Sequence, residues 1–368
     1  MTLHGLRIAL VGPLPPPEGG MANQTRQLAE LLRKEGAQVS LVRVNAPYRP
    51  GWIGRLRGIR ALFRLLPYLV QLWRVTRGVD LVHVMANSGW SWHLVAAPAV
   101  WIARIRGVPS IVNYRGGEAE AFLERSGAVV LATLRHATAL AVPSGFLQQI
   151  FGRHGIRSAI VPNIIDMERF RPRGATQEHP SPHVVVARGL EAMYDVATAL
   201  RAFALIRAEF PGASLTVAGS GPELEALRAL ARELGIGEAV DFCGRLDRER
   251  MAELYRTACV LINPSRVDNM PNSVLEAMAS GVAVVTTNVG GIPFIVRDGV
   301  TGLLVPAGEP AAVAAALRRV LRDSECAQQL RAAALLEVQQ YTWPRIRQQW
   351  AAVYASALSR GGQAARPA

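Results

Sequence analysis

Short apolar runs recur along the chain, separated by stretches with helical patterning. In the first half they are RIALVG (7–12), VSLVRV (39–44), DLVHVM (80–85), SIVNY (110–114), ALAVPS (139–144) and AIVPN (159–163). In the second half they are HVVVARGL (183–190), SLTVAGS (214–220), VDFCGR (240–245), CVLINPS (259–265), AVVTTN (283–288) and GLLVP (302–306). Helical patterns lie between nearly all of them, as at 20–35, 195–209, 222–234 and 247–257. Strand alternating with helix predicts parallel sheets covered on both faces. Two such series predict an α/β chain of two doubly wound, Rossmann-like domains facing each other across a cleft. RPRGATQEHPSPH (171–183) is rich in Pro, Gly and polar residues and reads as the linker. The expected domains are therefore 1–170 and 171–341, with a last helix over TWPRIRQQWAAVYASAL and a frayed GGQAARPA tail.

Length and composition agree with this division. A chain of 368 residues, 50% hydrophobic and 19% charged, is globular and too long for one ordinary core. Cys243, Cys259 and Cys326 are odd in number and widely spaced, which suits neither a disulfide framework nor a zinc site and predicts a reducing compartment. MTLHGLRIALVG is too briefly apolar for a signal peptide, and no run of eighteen uninterrupted apolar residues predicts a membrane span. The expected location is cytoplasmic.

Charge adds a second expectation. The formal net charge is +13 and Lys34 is the only lysine. No acid occurs between Glu35 and Asp80, whereas Arg43, Arg49, Arg55, Arg57, Arg60, Arg64, Arg74 and Arg77 all do. Such a face attracts nucleic acid, an anionic membrane or a phosphorylated substrate. No aromatic-basic motif of a nucleic-acid module accompanies it, so nucleic acid is not an expected partner. Trp52, Leu56, Ile59, Phe63, Leu66, Val70 and Trp73 recur at spacings of four and three, one stripe on a helix, flanked by Arg57, Arg60 and Arg64. The stripe either packs on the first sheet or, with 49–79 as a whole, meets an anionic membrane from the inner face. Pro67 should kink the segment or start a second helix.

Candidate chemistry is narrowed by what the motifs are not. After the first strand comes GPLPPPEGGMANQ, which fails the nicotinamide fingerprint but leaves backbone N–H groups at a helix start behind Gly19 and Gly20. AGSGPELEAL is a G-x-G turn from strand to helix and a weak motif. No D-x-D, no His/Cys cluster of metal spacing and no G-x-S-x-G is present, so neither metal nor cofactor is expected and a serine hydrolase has no support. In SRVDNMPNSVLEAMASG (265–281), Asp268 and Glu276 stand on either side of a helix start. Ser273 and Glu276 have capping-box spacing, which accounts for one acid but not for Asp268.

VDNMPNSVLEAMASGVAVVTTNVGGIPFIVRDGVTGLLV resembles the donor-site segment of the retaining glycosyltransferases of family four, which have the GT-B architecture. Their pattern is an acid, seven residues, Glu, then A-M-A, a small residue and Gly, and later V-G-G-I. The resemblance extends back through FCGRLDRERMAELYRTACVLINPS, AGSGPELEAL, VVVARGL and VPNIIDMERFRPR to the first GG loop. It implies a sugar transferred from a nucleotide-diphosphate sugar to a glycan or lipid-linked acceptor, in cell-envelope or exopolysaccharide synthesis. By position, Glu276 would hold the ribose and Asp268 the donor sugar. The loop through Asn269 and Met270, with amides near Asn272 and Ser273, would meet the diphosphate. Arg188 would neutralise the leaving group, Arg245 and Leu246 would face the base, and Gly20 would let the first loop approach. The last helix, 342–360, would pack back on the first domain. Three departures stand out. Asp268 replaces the usual Glu. The lysine that follows the arginine is missing, with Met193-Tyr194 near its place. Arg115-Gly116 stands where His-Gly is frequent. Arg115 is the expected second cation, against a surface pairing with Glu118 or Glu120. A sugar-nucleotide epimerase and a weakened homologue that only binds nucleotide sugar or glycan remain open alternatives.

Overall fold

The computed structural model describes residues 2–17, 19–48, 51–52, 60–172 and 181–364. It divides into two compact units, Met1–Ile164 with Trp343–Ala368, and Ile165–Thr342. The division falls ahead of the expected linker because Ile165 and Phe170 already belong to the second unit. Both are buried beside Tyr341, and the Ile165 N–H donates to the Tyr341 carbonyl at 2.9 Å. Most of the expected linker, 173–180, lies outside the described residues.

In the first unit β1 (Arg7–Gly12), β2 (Gln38–Arg43), β3 (Leu81–Ala86), β4 (Ser110–Tyr114), β5 (Ala139–Val142) and β6 (Ala159–Ile160) form one sheet in the order β2-β1-β3-β4-β5-β6. Every pairing is parallel, with register such as Ile8 opposite Val39 and Leu81. The crossovers are α1 (Gly20–Lys34), α2 (Arg60–Val75), α3 (Ala97–Ile105), α4 (Ala119–Leu134) and α5 (Gly145–Arg153). A π-helical turn, Trp92–Ala96, leads into α3.

The second unit repeats the scheme with β7 (His183–Ala187), β8 (Ser214–Ala218), β9 (Val240–Gly244), β10 (Val260–Asn263), β11 (Ala283–Thr287) and β12 (Leu303–Val305). Its parallel order is β12-β11-β10-β7-β8-β9. Its helices are α6 (Val196–Arg207), α7 (Leu224–Glu233), α8 (Arg248–Thr257), α9 (Asn272–Ala279), α10 (Pro310–Arg322) and α11 (Ser324–Glu337), and α12 (Trp343–Ala364) follows. The order reverses between β7 and β10, and ligands of such sheets bind outside the carboxyl ends of strands at that reversal.

The inner apolar runs became strands buried on both faces, whereas the edge strands β2, β6 and β9 are only partly buried. Val184 and Val186 pack on one side of the second sheet with α6, while Val185 and Ala187 pack on the other with α9. The last helix completes the first unit. Ile346, Trp350, Tyr354 and Ala357 of α12 bury themselves against Ile8, Leu10, Leu81 and Met85. Helix α2 runs through Pro67 as one segment, and no second helix starts there. Pro67 is exposed, so its missing N–H leaves a carbonyl that water can reach.

Candidate functional site

The loops at the carboxyl ends of β7, β8 and β10 converge in the second unit. Gly219 and Gly221 are required by close backbone approach: a Cβ at Gly219 would lie 1.8 Å from the Arg188 carbonyl oxygen, and one at Gly221 would lie 2.1 Å from that of Leu190. The loops are joined by Arg188 N–H to Ala218 O and Leu190 N–H to Ser220 O, each 3.1 Å. The G-x-G turn is therefore a packing device that presses the segment after β7 against the segment after β8. Gly291 does the same for the loop after β10, where a Cβ would fall 2.0 Å from the Asn269 carbonyl oxygen.

Within this frame Arg188 is nearly buried. Its Nη2 donates to Asp268 Oδ2 at 2.7 Å, and its guanidinium lies over the Tyr194 ring at 4.1 Å from the ring centre. Its Nε is buried and has no hydrogen-bond partner. Asp268 is also held by the Asn269 N–H at 3.0 Å and approached by Asn263 Nδ2 at 3.5 Å. Asn263 is in turn fixed by Thr286 and Ser265, both at 3.0 Å. The shorter acid is thus engaged by protein groups on both oxygens, with Arg188 as its counter-ion.

The helix α9 begins at Asn272, after Pro271, and no side chain caps it. The capping box that the spacing of Ser273 and Glu276 suggested is not formed. Ser273 lies inside the first turn instead of at the cap, and its buried Oγ has no partner. Asn269 and Met270 are buried in the approach loop, and Asn272 is half-buried. The uncapped helix start thus carries an idle hydroxyl in its first turn, and the side chain with the idle Nε holds Asp268 in the loop before it.

Glu276, one turn along α9, is half-buried, and desolvation pushes its pKa up to about 7, against the opposing pull of Arg248 and the Tyr255 hydroxyl. Tyr255 is itself buried, and its phenol is raised well above the ordinary value by the same desolvation and by the Glu276 charge. Arg245, at the carboxyl end of β9, is exposed, with Nε 2.5 Å from Ser220 Oγ, and Leu246 beside it is half-buried.

In the first unit Gly20 opens α1, behind Gly19 in an extended conformation. The preceding loop is tied down by Asn45 to Leu14 and by Arg43 Nη2 to the Pro16 carbonyl at 2.6 Å. Arg115 follows β4. Its Nη1 donates to Asn113 Oδ1 at 3.1 Å and its Nη2 to Asn163 Oδ1. The alternative surface pairing is not seen among the described residues, where Glu120 pairs with Arg153 at 2.9 Å. Behind Arg115 runs a buried polar chain, Asn113 Nδ2 to His83 Nε2 at 3.1 Å and His83 Nδ1 to Tyr354 Oη at 2.9 Å. Burial lowers the Arg115 pKa to about 10, and burial with the Arg115 charge drives His83 down to about 3.

Sequence reasoning missed Arg266 and Asp195. Asp195 adopts φ +44°, accepts from Arg266 Nε at 2.9 Å and from Thr198 Oγ1 at 2.9 Å, and so fixes the turn that carries Tyr194. An Asp just before a helical pattern was a usable signal, because Asp tolerates this left-handed region better than most residues.

Comparison with known proteins agrees with this geometry. The family model described as glycosyl transferases group 1 matches residues 167–336, and the one described as Glycosyltransferase Family 4 matches 18–169. A D-inositol 3-phosphate glycosyltransferase of Streptomyces griseus is 40% identical over 149 residues, which cover 40% of this chain and 32% of that protein, about a third of its length. The glycogen synthase of Mycobacterium tuberculosis is 30% identical over 302 residues, covering 78% of this chain and 71% of that protein. Sucrose-phosphate synthase from Thermosynechococcus elongatus has a similar structure, with TM-score 0.78 and 23% identity over 96% of this chain and all (100%) of its own. Anabaena HepE in complex with UDP and glucose has TM-score 0.74 and 17% identity, over 95% of this chain and 100% of its own. With two Rossmann-like units and the two family models matching one after the other along the chain, the chain belongs to the group 1, family 4 glycosyltransferases of the GT-B fold.

Proposed function

We propose that the protein transfers a sugar from a nucleotide-diphosphate sugar to a glycan or lipid-linked acceptor, with retention of configuration and without a metal ion. The observation that carries this reading is the pair of idle buried donors, Arg188 Nε and Ser273 Oγ, beside an uncapped helix start. Buried donors are rarely left unpaired, and a diphosphate supplies the missing acceptors. Glu276 would accept from the ribose hydroxyls, and main chain at Arg245 and Leu246 would face the base. Asn269, Met270, Asn272 and Ser273 would surround the diphosphate, and Asp268 would approach the sugar from beside Arg188. Gly20 and Arg115 would act from the first unit.

The chemistry follows from charge. The bond between the anomeric carbon and the phosphate oxygen breaks with its electron pair on the diphosphate. The acceptor oxygen bonds to the anomeric carbon from the same face, and its proton passes to a phosphate oxygen. Arg188, the α9 amides and Arg115 would stabilise the developing charge. The relative that binds UDP makes uridine donors the first to test. Release of nucleotide from UDP- and GDP-sugars, with and without a lipid-linked acceptor, separates the possibilities. Acceptor-dependent release supports transfer. Conversion of the donor sugar without acceptor would indicate an epimerase, and binding without turnover would indicate a weakened homologue. Arg115→Ala should lower turnover by about 10²–10³-fold with both units folded; near-normal turnover removes Arg115 from the site.

A second reading concerns location: the protein works on the inner face of an anionic membrane, in envelope or exopolysaccharide synthesis. No helix among the described residues is long and apolar enough to cross a membrane. Helix α2, however, is apolar on two sides. Tyr68 and Leu72 are buried under it, while Leu62, Phe63, Leu66, Val70 and Trp73 are 38–61% exposed. The predicted stripe is thus the outward side and not the sheet-packing side; Leu56 and Ile59 lie outside the described residues. Trp101 and Ile105 of α3 are exposed too, and Arg106 stacks on Trp73 at 4.8 Å. No acid interrupts residues 36–79. Exposed rings with arginines beside them suit an anionic interface, where each cation contributes roughly 1 kcal/mol. Leu66→Asp with Val70→Asp should abolish co-sedimentation with anionic vesicles; retention by the variant, or equal binding to neutral vesicles at high salt, would sink this reading.

A further inference from the structure

We propose that Tyr194 is a positioning residue for Arg188: its ring, and not a second cation, sets the plane in which the guanidinium meets a diphosphate. The inference rests on the donor reading above. The guanidinium carbon lies over the Tyr194 ring, 4.1 Å from its centre, while Nη2 donates to Asp268 Oδ2 at 2.7 Å. A planar cation held over a ring and at one nitrogen is restricted in orientation, and its Nε remains buried without a partner.

Three further features fix the ring. Gly189 leaves room for it: a Cβ there would sit 3.1 Å from Tyr194 Cε2, so a side chain would crowd the ring. The turn behind it is tied to the loop after β10, because the Arg266 N–H donates to the Met193 carbonyl at 2.9 Å. Arg266 Nε also donates to Asp195 Oδ2 at 2.9 Å, and Asp195 holds the φ +44° that turns the chain into α6. Such a strained position persists only where its surroundings over-determine it. Arg188 comes from the loop after β7, Asp268 from the loop after β10, and Arg266 couples the two. Face-on contact with an aromatic ring leaves the donor edges of the cation available, which a second ion pair would not.

The test is the affinity of UDP relative to uridine, with GDP and guanosine as the parallel arm, by calorimetry on the full chain. The wild-type chain should prefer the diphosphate, and Tyr194→Leu should lower that preference about tenfold while leaving nucleoside affinity unchanged. Tyr194→Phe keeps the face and should stay within about threefold of wild type. If Tyr194→Leu folds poorly, Arg266→Ala, whose side chain is largely exposed, should lower the preference in the same direction. Unchanged preference in Tyr194→Leu, equal loss in the Phe and Leu variants, or equal loss of diphosphate and nucleoside overturns the proposal and leaves the donor reading standing. Failure of the wild-type chain to bind either diphosphate overturns both.

Discussion

On the proposed reading, the Glu276 carboxyl makes donor binding depend on pH. Its pKa stands at about 7 because the carboxyl is desolvated. Ribose hydroxyls donate hydrogen bonds, so the ionised form is the one that binds. Affinity for UDP should therefore fall about tenfold per pH unit below 7 and level off above it. Glu276→Gln should bind weakly and without that slope, and Glu276→Ala should lose about 10²-fold. A titration of UDP against each folded variant between pH 5 and 8 checks this. A flat wild-type profile would remove Glu276 from the ribose site. Arg188 and Asp268 are legible in the sequence as charges, but their pairing is not. Nothing in the spacing of residues 188 and 268 says that the acid will be occupied by the arginine.

At the level of elements, glycines decide whether the loops after β7, β8 and β10 can meet. Gly221→Ala and Gly291→Ala each place a methyl group about 2 Å from a backbone oxygen. Each should lower stability by about 1–3 kcal/mol and weaken UDP binding, since the loops must separate. Gly19→Ala is the control, because its backbone is extended and nothing lies within 4 Å of the added carbon. Thermal unfolding and UDP affinity read both effects, and tolerance of Gly221→Ala and Gly291→Ala would mean that the loops are not tightly apposed. The same scale explains α9. Its start at Asn272 follows from Pro271, whose ring fixes φ and cannot continue a helix backward. Ser273 then falls inside the first turn, where it is out of place for capping.

Across the whole molecule, two cores respond oppositely to acid. His83 in the first unit is neutral in the fold, with its pKa lowered from 6.5 to about 3, so that unit loses stability as pH falls below about 6.5. Burial sets the sign and the Arg115 charge adds to it, and Asn113 Nδ2 donates to Nε2 of the same ring. Glu276 in the second unit has a raised pKa, so that unit gains stability as pH falls from about 7 to about 4.5. Each contributes at most about 1.4 kcal/mol per pH unit in its window. Hydrogen exchange of the two units at pH 7 and pH 5 should show the first loosening and the second tightening. His83→Gln should remove the first trend and Glu276→Gln the second. Parallel movement of both units would mean that other groups govern.

The order of apolar runs by itself determined the architecture, because a strand buried on both faces must be apolar along its length. All twelve runs became strands, in two parallel six-stranded sheets. The donor-type segment was legible for a similar reason: glycines and a helix start are local requirements written at fixed spacing. Only the tertiary structure decided which groups are idle. Arg188 and Ser273 each retain a buried polar atom without a partner, whereas Asp268 is already paired. Likewise, Tyr194 offers a ring face to Arg188, Arg115 turns to Asn113 and Asn163, and the α2 stripe faces outward. These depend on contacts between residues far apart in the chain. Periodicity states that a helix has an apolar stripe, but when both sides are apolar, only packing selects the side the sheet covers.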